Sequence, residues 1–129
     1  MRDSAEILIR DATTEMRFRW LAFDGDDCFD DFHIDVTTES GTQQFSFGPC
    51  VVGGLRKLSR FFRNGSEASS VSGVFRNPDI RTYDLFCTAG DYRLVVCLED
   101  SGLAQQLWLR KPTMEFDDEF LAEYDGPDT

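Results

Sequence analysis

Two runs of alternating apolar residues flank Gly90-Asp91, and the match between them is the strongest constraint this sequence places on its fold. With those two residues as the turn, Ala89 pairs with Tyr92, Cys87 with Leu94, Leu85 with Val96 and Tyr83 with Leu98, which puts an uncharged set on one face. The other face sets Thr88 against Arg93, Phe86 against Val95 and Asp84 against Cys97. Side chains alternate across a strand, so a slip of one residue would turn the apolar set toward water, and burial resists it. The chain is thereby committed to antiparallel sheet.

A chain of 129 residues is expected to form a single domain over residues 1–129, burying about two-thirds of the surface its unfolded form exposes. Twelve Phe, three Tyr and two Trp within 41% hydrophobic residues supply a core and set the sequence apart from disordered segments. The 24 Asp and Glu against 13 Lys and Arg leave a net charge of -11, which repels phosphate backbones and anionic lipid. Nucleic-acid and membrane partners are therefore not expected. A basic protein is the partner that such a surface steers toward itself, and plain solubility is the other use of the charge. No apolar run reaches the roughly 20 residues of a membrane span, and Met1 to Glu6 lack the features of a signal peptide. A cytoplasmic location follows as an expectation, and it suits four cysteines without C-x-x-C spacing that are read as reduced and mostly buried.

Other segments carry their own patterns. Ala5–Arg10 reads as a short strand, plausibly an edge, with Ile7 and Ile9 on one side. Glu15–Phe23 alternates Met16, Phe18, Trp20 and Ala22 against Glu15, Arg17 and Arg19, a half-buried strand. Asp31–Phe47 reads as a second hairpin with a Ser40-Gly41 turn that sets Val36 against Phe45 and Ile34 against Phe47. Gly48-Pro49-Cys50 reads as a strand break. Val51, Leu55, Leu58 and Phe62, with Phe61, then recur at helical spacing as far as Asn64-Gly65. The opposite face of that helix gathers Arg56, Lys57, Arg60 and Arg63, either paired internally with acidic loops or forming an electropositive strip.

Ser66–Ser72 reads as loop, Val74-Phe75 as the start of a short strand, and Asn77-Pro78-Asp79 as a turn. A last strand over Gln105–Lys111 follows Asp100-Ser101-Gly102, with Leu107 and Leu109 on one face and Trp108 on the other. Three-residue and other loop lengths leave its register open. Glu115–Asp128 places Phe116, Phe120, Leu121 and Tyr124 at spacings suited to a short acidic helix. The fold class is therefore α+β: a predominantly antiparallel sheet of seven or eight strands, curled or two-layered, with one principal amphipathic helix and a short C-terminal helix.

Chemistry-bearing motifs are sparse. Asp24–Asp31, DGDDCFDD, is rich in carboxylates, but an EF-hand alignment puts Cys28 at an oxygen-ligand position and Phe29 where the turn glycine belongs. An acidic loop or partner contact fits that spacing better than a metal site. His33, the only histidine, falls beside Asp35 on an exposed strand face without a nucleophile motif around it. No Walker loop, nucleophile elbow or H-E-x-x-H is present. Neither a cofactor nor catalysis is expected.

Phe45–Phe62, FSFGPCVVGGLRKLSRFF, resembles the strand, Gly-Pro-Cys break and amphipathic helix of the WapI-type immunity proteins, small bacterial proteins that neutralise the toxic tip of a polymorphic toxin. The downstream order is similar in outline from Phe32 to Tyr124: Phe75 and Pro78, two apolar strands, then an acidic, aromatic tail. The resemblance implies occlusion rather than catalysis, with Asp26, Asp27, Asp30 and Asp31 contacting a basic toxin domain and Phe29 as the apolar anchor. An intracellular adaptor or accessory domain using the basic helix face is the alternative.

Overall fold

The computed structural model describes residues 3–63, 70–76, 80–98, 103–117 and 119–120. Among these residues the strands and the principal helix follow in the order β1 Ala5–Arg10, β2 Glu15–Phe23, β3 Cys28–Thr38, β4 Gly41–Val51, α1 Val52–Arg63, β5 Ser70–Arg76, β6 Ile80–Thr88, β7 Asp91–Leu98, β8 Leu103–Leu109 and β9 Thr113–Phe116. They form a five-stranded sheet ordered β4-β3-β2-β1-β9 and a four-stranded sheet ordered β5-β6-β7-β8. Every pairing is antiparallel, and the class is α+β.

The alternation in β2 and β3 buries Met16, Phe18, Trp20, Phe32, Ile34 and Val36 on one side of the larger sheet. Tyr83, Leu85, Tyr92, Leu94 and Val96 do the same for the smaller one. The two faces meet where the Tyr83 ring lies 5.9 Å from Phe32 and 5.6 Å from Phe47. Helix α1 touches both, for Phe62 stands 5.4 Å from Phe18 on the one sheet and 5.4 Å from Tyr92 on the other. Each fully buried side chain of this kind contributes about 1.5–3 kcal/mol, so the helix stripe of Leu55, Leu58, Phe61 and Phe62 is a principal tie between the sheets.

Both hairpins keep the expected faces but are shifted by two residues. In the β6–β7 hairpin Tyr83 pairs with Val96, Leu85 with Leu94 and Cys87 with Tyr92, so the turn is Ala89-Gly90. Ala89 at φ 54° and Gly90 at φ 87° are both left-handed, as a type I′ turn requires. Likewise Ile34 pairs with Phe45 and Val36 with Gln43, leaving Glu39-Ser40 as the turn and Gly41 just after it at φ 126°. A two-residue slip leaves every side chain on its own face, so burial does not oppose it and turn geometry decides.

Three further expectations are corrected, and the open register of the last hairpin is decided. β1 is not an edge, because β9 pairs along it where the sequence suggested the start of an acidic helix. β4 runs through Gly48-Pro49-Cys50, with register shifts between Phe29 and His33 of its partner absorbing the irregularity, so α1 begins at Val52 and Val51 is 55% exposed. Ser70–Ser72 belong to β5. Leu107 and Leu109 pair with Leu94 and Tyr92, extending the first apolar face of the β6–β7 hairpin. Of the expected C-terminal helix only Glu119 and Phe120 are helical within the described residues. Asn64-Gly65, Asn77-Pro78-Asp79, Asp100–Gly102 and the tail from Leu121 lie outside them.

One end of the larger sheet is tied to β8. The Asp11 carboxylate in the β1–β2 turn accepts from the Arg110 N–H at 2.8 Å and from the Thr13 and Thr14 N–H groups at 2.8 Å each. Burial pushes its pKa up, and these donors outweigh that and hold it below the ordinary value. Gln43 and Gln105 exchange two amide hydrogen bonds at 2.7 and 2.6 Å. The β2–β3 turn, with the acidic residues, therefore lies at the opposite end of the larger sheet from β8.

Candidate functional site

The β2–β3 turn is short and firmly held. Its backbone closes with Asp24 N–H donating to the Cys28 carbonyl at 2.9 Å, while the Asp24 Oδ1 accepts from the N–H of Asp26 at 2.8 Å and of Cys28 at 3.3 Å. An aspartate folding back on the backbone two residues on is the ordinary way this side chain makes a turn. Gly25 at φ 88° completes the reversal with open space around it. Two long-range ties fix the turn in place: Phe23 N–H to the Asp3 carbonyl at 2.7 Å, and Val52 N–H to the Asp27 carbonyl at 2.6 Å. The second bond satisfies one of the donors that a helix leaves open at its first turn, and it sets the acidic loop against the positive end of α1.

On this frame Asp24, Asp26, Asp27 and Asp30 are exposed, and Asp31 is half-exposed. Among the described residues none of the five lies within ion-pair distance of an arginine or lysine, and Asp31 has only His33 at 3.8 Å. The concentration of charge is felt locally. Burial raises the pKa of the Cys28 thiol first, and the carboxylates of Asp24, Asp27 and Asp30 raise it further. Among the described residues no group of three or more His, Cys, Asp or Glu is placed to hold a metal ion.

Comparison of the chain with family models, characterised proteins and solved structures finds no match.

Phe29 does not occupy the position expected of a partner anchor. Its ring is fully buried, 5.1 Å from Phe23 and 5.4 Å from Phe120, because in this register it faces the core while Cys28 and Asp30 face out. The apolar group that does stand beside the aspartates is Val51, directly across from Cys28 on β4 and 55% exposed. Helical spacing counted it into the α1 stripe, and only the continuation of β4 past Pro49 brings it out. Cys50 points the other way, and burial pushes its thiol up to about 11. Gly54 is what accommodates that thiol, since a Cβ there would stand 2.8 Å from the Cys50 Sγ.

The remaining candidates are engaged elsewhere. His33 Nδ1 lies 2.9 Å from the Ser46 Oγ, and Asp35 is taken by Arg19 at 2.8 Å, so His33 and Asp35 do not form the pair that strand spacing suggested. The 3.8 Å between His33 Nε2 and Asp31 is beyond hydrogen-bond reach. On α1, Arg56, Arg60 and Arg63 are each engaged within the chain. Arg63 illustrates this, its Nε donating to the Ser59 Oγ at 3.2 Å and its guanidinium lying 4.2 Å from the centre of the Phe116 ring.

Proposed function

We propose that this chain is a non-catalytic protein-binding domain whose β2–β3 tip docks on a basic protein surface, as an immunity protein does when it covers a toxin's active-site cleft. The observation that carries the reading is the pairing of four exposed aspartates, Asp24, Asp26, Asp27 and Asp30, which have no arginine or lysine partner among the described residues, with the 55% exposed side chain of Val51 on a turn pinned at both ends. A held turn loses little freedom on binding, which is where much of the cost of association lies. Long-range attraction accelerates the encounter, and the apolar group supplies contact once water is expelled. The same arrangement serves an adaptor with a basic partner. The helix face is the weaker surface for that role, since its arginines already have contacts in the chain.

The test is a tagged pull-down from host lysate under rising salt, followed by association kinetics with the captured protein. Replacing Asp24, Asp26, Asp27 and Asp30 with Asn is expected to slow association about tenfold or more at low salt and to flatten its salt dependence, with the melting temperature little changed. Unchanged association at low salt would refute the assignment of the tip.

A further inference from the structure

We infer that the outer edge of β8 is a self-association site, pairing antiparallel with β8 of a second copy to make one continuous eight-stranded sheet. Among the described residues no strand pairs with that edge. Natural sheets protect such edges with charge, proline, bulges or brevity. The other edges show these devices: β4 carries Pro49 and the register shift near Gly48, β9 has four residues, and β5 lies against α1 and β4. β8 has none of them. Its sequence LAQQLWL holds no charge and no proline, and its register with β7 runs unbroken from Leu103 to Leu109. It also carries Trp108, 53% exposed.

The identity of the occupant follows from the strand's own symmetry. Pairing about Gln106 sets Gln106 against its equivalent, Ala104 against Trp108 of the other copy, and Gln105 against Leu107. Faces are preserved, since each pair shares the parity that β7 imposes. The exposed indole would then cover the small side chain of Ala104, with the Arg93 guanidinium, 5.5 Å from the ring centre, stacked on its far side. Charge fits the same orientation. In the sequence Glu99-Asp100 precede the strand and Arg110-Lys111 follow it, so antiparallel pairing directs the basic end of one copy toward the acidic end of the other. Parallel pairing would set like against like. The β2–β3 tips, at the far end of the larger sheet, stay clear of the contact.

Sedimentation equilibrium of the full chain across roughly 1–300 μM tests this, a range suited to a contact of one strand pair. A monomer–dimer equilibrium is expected. Gln106→Lys, which places like charges face to face across the two-fold axis, is expected to weaken it at least about tenfold, while the melting temperature of dilute protein falls only slightly through loss of the exposed hydrogen bond that the Gln106 Oε1 accepts from Arg93 at 3.2 Å. Gln106→Cys is expected to form a covalent dimer through residue 106 on mild oxidation, located by peptide mapping. A chain that stays monomeric throughout the range, or a dimer that Gln106→Lys does not weaken, would overturn the assignment.

Discussion

Replacing Ala89 with Asn should stabilise the protein, and the sign of that effect depends on the register of the β6–β7 hairpin. Ala89 holds φ 54° and Gly90 φ 87°. A left-handed backbone costs an L residue about 1–2 kcal/mol, and Asn, which visits that region readily, recovers part of it. A gain of about 0.5–1 kcal/mol is expected, or about 2–5 °C in melting temperature for a chain of this size. Ala89→Val should do the reverse, losing about 1 kcal/mol or more because a β-branched side chain is least tolerated at positive φ. Were the turn at Gly90-Asp91 instead, position 89 would be a strand residue opposite Tyr92, where Val is favoured over Asn. The two substitutions would then exchange signs. Urea unfolding monitored by fluorescence reads both, as a shift in midpoint with unchanged slope. Gly90→Ala is a useful companion: a Cβ there would meet only the Lys111 Cγ at 3.6 Å, so its expected loss of about 1–2 kcal/mol is backbone strain without a clash. Stability falling in Ala89→Asn while rising in Ala89→Val would refute the type I′ assignment.

Two further outcomes bear on the acidic tip. Phe29→Ala should cost about 3–5 kcal/mol in chemical denaturation, because the ring is fully buried against Phe23 and Phe120; a loss under 1 kcal/mol would return Phe29 to the surface. The Cys28 thiol should alkylate slowly, since burial and then Asp24, Asp27 and Asp30 raise its pKa. Changing those aspartates to Asn lowers that pKa, puts more thiolate in solution near pH 8, and should speed iodoacetamide labelling of Cys28 by mass-mapped peptide; an unchanged rate would mean the charges do not act there.

The antiparallel class, the faces of β2, β3, β6 and β7 and the stripe of α1 were legible because periodicity reports burial, and burial dominates the energetics of these elements. What periodicity does not carry is an even slip. Ser40-Gly41 and Gly90-Asp91 were each one residue late as turns because the glycine was assigned to the wrong place in the reversal: Gly90 is the second turn residue, and Gly41 follows its turn. Val51 and β9 failed for a different reason. Short segments satisfy both periods at once, and Val51 fits a helical count while Thr113–Phe116 is too brief to contradict one. At the site, the aspartates were visible as composition, but whether Phe29 or Val51 faced solvent turned on the register shifts of Phe29–His33 against Ser46–Cys50, where Gly48-Pro49 signals an irregularity without saying that the strand continues through it.

The pairing of β1 with β9 joins Ile7 to Phe116, partners separated by almost the whole chain. During synthesis at about 5–20 residues per second, β1 and β2 would emerge on the order of ten seconds before the strand that completes their sheet. Throughout that interval the backbone edge of β1 is open to any other extended segment, its neighbours on the same ribosome included. Contacts so distant in sequence make folding slow rather than the folded state weak. Damage to Thr113–Phe116 would accordingly show first in the yield of protein from the cell, and only afterwards in the stability of the molecules that reach the native state.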